Sequence, residues 1–277
     1  MKKNIILLAV LLLVSLFFYF REDNEIKPEK PVLRIGVECD YVPNNWEEKR
    51  NSSSNFPISN HEGFFADGYD LQIAKIIADR LKRELVVKKI AWDDLIPALK
   101  RGEIDAIFSG MLDTEERKKE VSFSDTYEIN KTEYAVLVNT ASLYANASKF
   151  TDFSGAKFTG QKNTKLYSSI TQLPGAVALP AVDTVSEMLD AVTSGRADAI
   201  IINLDTGRSY EATHHNLKVV HFPEGEGFVV GFHGICAAVR QNDKDLLLRI
   251  NDALDNIKKS ERQKIMDTTV GRLYKNL

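Results

Sequence analysis

The chain has 277 residues, which suits one or two domains, and 44% of them are hydrophobic, enough for a sizeable core. Its 36 lysines and arginines face 39 aspartates and glutamates, a formal net charge of -3, so the charge balance excludes a basic, nucleic-acid-binding class of protein. The 27% of charged residues is ordinary for a soluble domain. We therefore expect a folded domain with no nucleic-acid partner.

The N-terminal segment, residues 1–20, differs in composition from the rest of the chain. Lys2 and Lys3 precede a run that is apolar from Ile5 to Phe20 except for one serine. This pattern is typical of a secretory signal or a short membrane anchor, and it predicts that the remaining chain lies outside the cytoplasm. Because no small-residue cleavage site follows the run, we favour an uncleaved anchor. Residues 21–31 then predict an extended, proline-containing linker.

The first half of the body alternates strands and helices. A strand is predicted over residues 32–37, a polar surface loop over 47–61 and a second strand over 84–90. Between the loop and the second strand, Gly68-Tyr69-Asp70 opens an amphipathic helix. This alternation predicts parallel sheets throughout the molecule.

One phrase of the sequence occurs twice, at residues 95–107 and 188–200. Each copy predicts an amphipathic helix, a glycine stop in the left-handed conformation at Gly102 or Gly195, an aspartate and a buried strand. Two distant copies indicate two similar α/β lobes, since a solenoid would need several adjacent repeats.

Helix starts are marked by two capping-box patterns. The spacing of Asp113 and Glu116 predicts one box, and that of Thr184 and Glu187 predicts another. Further along, residues 228–240 predict a late apolar strand, and a C-terminal helix follows it.

The strand ends predict a shared cleft, because ligands of open α/β sheets sit at the carboxyl ends of strands. Ser109 and Gly110 follow the first repeated strand, and Asn203 follows the second. Arg117 falls in the first turn of the next helix, where a positive charge is unfavourable unless an anion binds it. A bound carboxylate would suit its guanidinium; the alternative is a surface ion pair with Glu120.

A family resemblance is carried by several segments together: Gly68-Tyr69-Asp70, Trp92-Asp93-Asp94-Leu95-Ile96-Pro97-Ala98-Leu99, Ser109-Gly110-Met111, Thr114-Glu115-Glu116-Arg117 and Phe123-Ser124-Asp125-x-Tyr127. From residue 32 to the C-terminus the chain resembles the bacterial extracellular solute-binding proteins of polar amino-acid ABC importers, family 3. The resemblance implies an α/β fold of the periplasmic-binding-protein type (Venus flytrap, type II), with a cleft between two lobes. Lobe 1 would comprise residues 32–130 and 228–277, and lobe 2 residues 131–227.

The resemblance also implies how an amino acid is held. Arg117 aligns with the arginine that grips the α-carboxylate, helped by the backbone at Gly110 with Ser109 and by the hydroxyl of Thr164. Asn163 stands where the family has a glycine and can still adopt a left-handed conformation.

Two departures put the ligand class in question. Leu112 replaces a hydroxyl residue, so only its N–H remains for the ligand. Asn203 replaces the acid that meets the α-ammonium; Asp205, which strand alternation would aim to the same face, is the alternative.

Three residues would contact the ligand side chain. Tyr41 and Trp92 match positions whose rings sandwich it, which suits an aliphatic stem or a cation. Glu38 matches an acidic position that meets a distal positive charge, with a solvated strand-end acid as the alternative.

The function implied is extracytoplasmic capture of a polar, cationic amino acid or derivative and its delivery to ABC permease subunits, by a monomer without a cofactor or a metal. The protein is expected not to be an enzyme. The alternatives are a cleft enzyme of the cyclohexadienyl or arogenate dehydratase type, with Glu38 or Asp205 as its acid, and a ligand-sensing module. Cys39 and Cys236 are expected to be separate buried residues, although a disulfide is permitted outside the cytoplasm.

Overall fold

The computed structural model describes residues 31–127, 132–223, 225–231 and 234–275. The predicted signal or anchor lies outside these residues, as does the predicted linker apart from Pro31. From Val32 to Leu277 the chain forms one compact unit. In the described ranges, no helix combines the length and the apolar character that a membrane span requires.

The described strands are β1 (Val32–Val37), β2 (Asp40–Tyr41), β3 (Asn45–Glu48), β4 (Phe56–Pro57), β5 (Phe65–Asp67), β6 (Glu84–Lys89), β7 (Ala106–Ile107), β8 (Val121–Thr126), β9 (Tyr134–Asn139), β10 (Lys157–Thr159), β11 (Val177–Ala178), β12 (Ala199–Asn203), β13 (Leu217–Val220) and β14 (Cys236–Arg240). The α-helices are α1 (Tyr69–Arg80), α2 (Leu95–Lys100), α3 (Glu115–Lys118), α4 (Lys165–Ser168), α5 (Val185–Thr193), α6 (Leu204–Thr213), α7 (Lys244–Asp255) and α8 (Lys259–Lys275). Short 3-10 helices lie between them, including one at Trp92–Asp94.

Two five-stranded sheets organise the molecule. One has the strand order β6-β1-β7-β14-β8 and the other β11-β10-β12-β9-β13, while β2, β3, β5 and β4 form a small separate sheet. The first sheet takes its strands from both ends of the described chain, and the second takes them from the middle. Each sheet therefore belongs to its own layered α/β lobe.

The prediction of parallel sheets throughout is wrong. β14 runs antiparallel to β7 and β8, and β9 runs antiparallel to β12 and β13. Parallel neighbours need a crossover connection within one lobe. In contrast, β9 and β14 are each the first strand along the chain after it passes from one large sheet to the other. The late strand is also shorter than residues 228–240, because among the described residues of that range the sheet strand is Cys236–Arg240.

Both large sheets are covered on their two faces, which explains the uninterrupted apolar strands. In the first sheet, one face packs on α1 and α7 through residues such as Leu71 and Ile250, and the other packs on α2 through Leu95 and Leu99. Cys39 and Cys236, as expected, are separate buried free thiols.

The repeated phrase builds the same local unit in both sheets. Gly102 and Gly195 end their helices with φ of 76° and 74°, as the sequence predicts. Thr184 forms its capping box with Glu187 at the start of α5. The box predicted at Asp113 is wrong, since α3 begins one residue later and its N-cap is Thr114.

The repeated aspartate ties its strand to a parallel neighbour in the same way in each sheet. Asp105 Oδ2 accepts a hydrogen bond of 2.9 Å from the backbone N–H of Arg34 in β1. Asp198 Oδ2 accepts one of 2.7 Å from the backbone N–H of Lys157 in β10. In return, the backbone N–H of Asp105 donates to the carbonyl of Arg34, and that of Asp198 donates to the carbonyl of Lys157. Each repeated aspartate thus forms a reciprocal pair of hydrogen bonds that aligns two parallel strands of its sheet.

Candidate functional site

A cavity of about 60 Å³ lies where strand ends of the two sheets face each other. Glu38 follows β1, Ser109 and Gly110 follow β7, and Asn203 ends β12. The described residues that line it are Glu38, Tyr41, Trp92, Ser109, Gly110, Leu112, Arg117, Thr132, Tyr134, Gln161, Thr164, Lys165, Leu166, Val185, Met188, Ile202, Asn203 and Ile235. The structure therefore brings together every site residue that the sequence suggested except Asp205.

Arg117 is held rigidly at one end of this cavity. Its guanidinium lies 4.9 Å from the centre of the Trp92 ring, and Nη1 donates to the carbonyl of Leu112 at 2.9 Å. Nη2 donates to the carbonyl of Asn163, in the other lobe, at 2.9 Å. Burial lowers the pKa of Arg117 to about 10, and no carboxylate of the described chain forms a salt bridge with it. A half-buried, unneutralised guanidinium is suited to a ligand carboxylate.

Glu38 is the buried acid of the cavity, with 6% of its surface exposed. Its backbone N–H donates to Ser109 Oγ at 2.9 Å, and its Oε1 accepts a hydrogen bond of 2.5 Å from Gln161 Nε2. Burial raises the pKa of Glu38 to about 8, although the Gln161 bond opposes that shift. Its other oxygen, Oε2, makes no hydrogen bond within the described residues. The alternative of a solvated strand-end acid does not fit this burial.

Gly110 and Tyr41 approach each other closely in the cavity wall. Gly110 has φ of 60°, and a Cβ there would lie 3.2 Å from the Tyr41 ring. The Gly110 backbone is supported by Asp70, which is fully buried and also accepts bonds from Tyr127 Oη at 2.7 Å and Asn45 Nδ2 at 2.8 Å. Burial raises the pKa of Asp70 to about 6 despite these bonds. The Gly68-Tyr69-Asp70 motif thus supports the cavity wall from the protein interior, through Asp70.

The opposite wall begins with a tight turn. Asn163 adopts the left-handed conformation, with φ of 54°, as the sequence allowed. Thr164 caps α4: its Oγ1 accepts from the N–H of Tyr167 at 3.2 Å and donates to the carbonyl of Gln161 at 2.7 Å. The Thr164 hydroxyl would have to rotate away from Gln161 to donate to a ligand.

Asn203 and Asp205 lie on different elements, because β12 ends at Asn203 and α6 begins at Leu204. Asn203 is the N-cap of α6, and its Oδ1 accepts from the N–H of Asp205 at 3.0 Å. The Asp205 side chain is 65% exposed, lies 4.0 Å from Arg208, and faces a second cavity. The sequence argument that aimed both side chains to one face is wrong because α6 begins at Leu204, so strand alternation stops there.

Several lining residues escaped the sequence analysis. Gln161 precedes the Asn163-Thr164 turn and has only 6% of its surface exposed; its place in that turn was the available signal. Tyr134 pairs with Asn203 across β9 and β12, an antiparallel register that the sequence does not announce. Val185 and Met188 enter from the first turns of α5.

Direct bonds between the two lobes surround the cavity. Asp40 accepts from the backbone N–H of Ser186 at 2.9 Å and from its hydroxyl at 2.5 Å. Asp93 accepts from Asn163 Nδ2 at 2.9 Å. Together with the Arg117 and Gln161 bonds, these contacts describe a closed conformation. Within the described ranges, no cluster of His, Cys, Asp and Glu has the makings of a metal site.

Comparison with known proteins agrees with this architecture. The profile of the family described as bacterial extracellular solute-binding proteins, family 3, matches residues 33–271. The L-arginine-binding protein of Pseudomonas aeruginosa is 30% identical over 249 residues, covering 85% of this chain and 86% of that protein. The probable histidine-binding protein of Campylobacter jejuni is 28% identical over 230 residues, covering 82% of this chain and 79% of that protein.

Solved structures confirm the expected two-lobed α/β fold. An ancestral arginine-binding protein bound to glutamine is 28% identical, covers 87% of this chain and 99% of its own, and superposes with a TM-score of 0.70. Because the family profile spans most of the chain and the fold agrees with it, the protein belongs to the bacterial extracellular solute-binding proteins, family 3.

Proposed function

We propose that this protein captures a polar, cationic amino acid or derivative outside the cytoplasm and delivers it to the permease subunits of an ABC importer. The observation that carries the proposal is one cavity that holds both an unneutralised guanidinium, Arg117, and a buried carboxyl, Glu38. The relatives named above as arginine- and histidine-binding proteins support the same class of ligand.

Arg117 would bind the ligand carboxylate. Its guanidinium donates one hydrogen bond to the carbonyl of Leu112 in its own lobe and one to the carbonyl of Asn163 in the other lobe. The plane of the guanidinium is therefore fixed before the ligand binds. Trp92 stacks on the guanidinium and excludes water from one of its faces. A preorganised arginine loses little side-chain entropy on binding, which favours affinity.

Glu38 would meet the distal positive charge. A cation beside Glu38 Oε2 would offset the desolvation that raises its pKa, so the acid would ionise when the ligand binds. Tyr41 lies in the same wall and offers an aromatic face for the aliphatic stem.

Closure would couple the two lobes to the ligand. We propose that lobe 1 comprises residues 32–130 and 228–277 and lobe 2 residues 131–227, since the two large sheets divide the strands in that way. A ligand that contacts Arg117 and Glu38 from one lobe and the Thr164 wall from the other favours the closed state by its differential affinity.

Tethering by residues 1–20 and a monomeric state complete the proposal. Membrane and soluble fractions of producing cells, probed for the full chain and for a chain that lacks residues 1–20, test the tether. Recovery of the full chain only in the soluble fraction would contradict it, and light scattering that shows a dimer would contradict the monomer.

The function is tested by mass spectrometry of the purified protein after incubation with an equimolar pool of amino acids. We expect a basic amino acid or a derivative of one to be enriched, and calorimetry with Glu38→Gln to show weaker binding of that ligand but not of a neutral analogue. Equal affinity of wild type and Glu38→Gln for arginine and lysine would contradict the cationic assignment. Turnover of any compound in the pool would favour a cleft enzyme with Glu38 as its acid instead.

A further inference from the structure

The cavity carries an unusual balance of charge. Of its described lining residues, Glu38, Arg117 and Lys165 have charged side chains. Lys165 Nζ lies 3.4 Å from Glu116 Oε2, so its charge is met outside the lining. What remains is one cation, Arg117, and one acid, Glu38. That balance complements a ligand with one negative and one positive charge, whereas a free basic amino acid carries a second positive charge on its α-nitrogen.

Asn203 lines the same cavity as Arg117. It pairs with Tyr134, another lining residue, across β12 and β9. Asn203 Oδ1 accepts the helix-capping bond from the N–H of Asp205. The atom left without a hydrogen bond in the described chain is Nδ2, a donor. A donor attracts an acceptor such as a carbonyl oxygen and repels an ammonium.

The binding cavity that Asn203 lines has apolar side chains in its wall. Asn203 and Ile235 each face both the binding cavity and the second cavity, so both stand in the wall between them. Leu112 forms an isolated β-bridge with Ile235 and also lines the binding cavity, as does Ile202. Glu38 is the one carboxylate among the described lining residues of the binding cavity and is assigned to the distal cation, so an ammonium buried beside Asn203 would lose its hydration with no second carboxylate in that lining to compensate. The carboxylates of Glu133, Asp205 and Asp267 line the second cavity instead.

We propose that the preferred ligand is a basic L-amino acid whose α-nitrogen is acylated and therefore uncharged. Its carboxylate would bind Arg117 and its distal cation Glu38, while the acyl oxygen accepts from Asn203 Nδ2 and the acyl carbons contact Leu112 and Ile235. This inference rests on the proposed capture of a basic ligand. It narrows that ligand class through the chemistry of one ligand atom, the α-nitrogen.

The test compares Nα-acetyl-L-arginine with L-arginine by calorimetry at pH 7 on the full chain. For the wild type we expect the acetylated ligand to bind at least tenfold more tightly. Asn203→Asp restores a carboxylate at this position and is as good an N-cap as asparagine, so α6 should still form. In that variant the preference should reverse, with L-arginine at least tenfold tighter. Asp205→Asn is the matched control and should leave the wild-type ratio unchanged.

The possible failures are distinguishable. Tighter binding of L-arginine than of its acetylated form by the wild type overturns the acylated ligand and leaves the proposed function standing. Tight binding of a neutral amino acid with a free α-amine overturns both the acylated ligand and the cationic ligand class. If no arginine or lysine compound binds at millimolar concentration, acylated or free, both this inference and the cationic ligand class fall. An unchanged ratio in Asn203→Asp shows that Asn203 does not select at the α-nitrogen and overturns the inference.

Discussion

At the scale of single residues, Arg117 carries the largest expected effect on binding. Arg117→Ala would leave a ligand carboxylate buried without its partner, a loss on the order of 3–5 kcal/mol, or roughly a hundred- to several-thousand-fold in Kd. Calorimetry with the ligand recovered from the amino-acid pool measures it. Arg101→Ala is the control, since Arg101 is exposed and its salt bridge in the described part of the chain is with nearby Glu103. The affinity of this variant for the ligand should stay at the wild-type value. A loss below about fivefold for Arg117→Ala would mean that Arg117 does not grip the ligand.

Glu38 should give the ligand-free protein a pH-dependent stability. Burial raises its pKa to about 8 from an ordinary value of 4.5, so between these pH values the folded state keeps a proton that the unfolded chain has released. Raising the pH through this window therefore destabilises the fold. Glu38→Gln cannot ionise, so its free energy of unfolding relative to wild type should rise from pH 5 to pH 8, by up to a few kcal/mol at about 1.4 kcal/mol per pH unit.

Denaturant unfolding at pH 5, 6, 7 and 8, with bound ligand first removed, checks this expectation. Asp70 also has a raised pKa, from 3.8 to about 6, but it is present in both proteins and cancels in the difference. Glu103→Gln is the control, because Arg101 lowers the pKa of Glu103 and its titration falls below this window. A difference between Glu38→Gln and wild type that stays flat from pH 5 to pH 8 would contradict the burial of a protonated acid.

At the scale of elements, α5 depends on its capping box and in turn positions Val185 and Met188 in the cavity wall. Thr184→Ala removes the oxygen that accepts from the N–H of Glu187 at 3.1 Å, and we expect a loss of about 1 kcal/mol in the free energy of unfolding. Thr268→Ala makes the same chemical change in α8, where the hydroxyl only bonds back to the carbonyl of Lys264. That control should be neutral or slightly stabilising, since alanine is the better helix former. Equal losses in the two variants would show that the cap at Thr184 contributes nothing particular to α5.

At the scale of the whole molecule, the lobes are held closed by direct hydrogen bonds between them. Asp40 accepts from Ser186, and Asp93 accepts from Asn163. Hinge closure around a ligand is the established motion of periplasmic binding proteins. Here the chain passes from the first large sheet to the second and back again, and those two connections provide for a hinge. We expect small-angle scattering to give a smaller radius of gyration at ligand saturation than without ligand. A radius that does not change, at saturation proven by calorimetry, would refute closure as the binding mechanism.

Local features of this protein were determined by the sequence alone. The left-handed glycines at Gly102 and Gly195 and the capping box at Thr184 depend on residues a few positions apart, so their chemistry is complete in a short segment. Part of the candidate site was predictable for a related reason: residues directly after buried strands come together at the sheet edge, and Ser109, Gly110 and Asn203 were found in this way. Arg117 was found from its place in the first turn of a helix and from the family resemblance, and Glu38 from the resemblance alone.

Only the tertiary structure decided the pairings between distant segments. The bond between Glu38 and Gln161, which are 123 positions apart, needs two lobes to meet, and no pattern within either segment implies it. The antiparallel course of β9 and β14 depends on how the chain enters each sheet, and the displacement of Asp205 on where a strand becomes a helix. Burial follows from the same packing, so the raised pKa of Glu38 and the choice of ligand that depends on it belong to the fold as a whole.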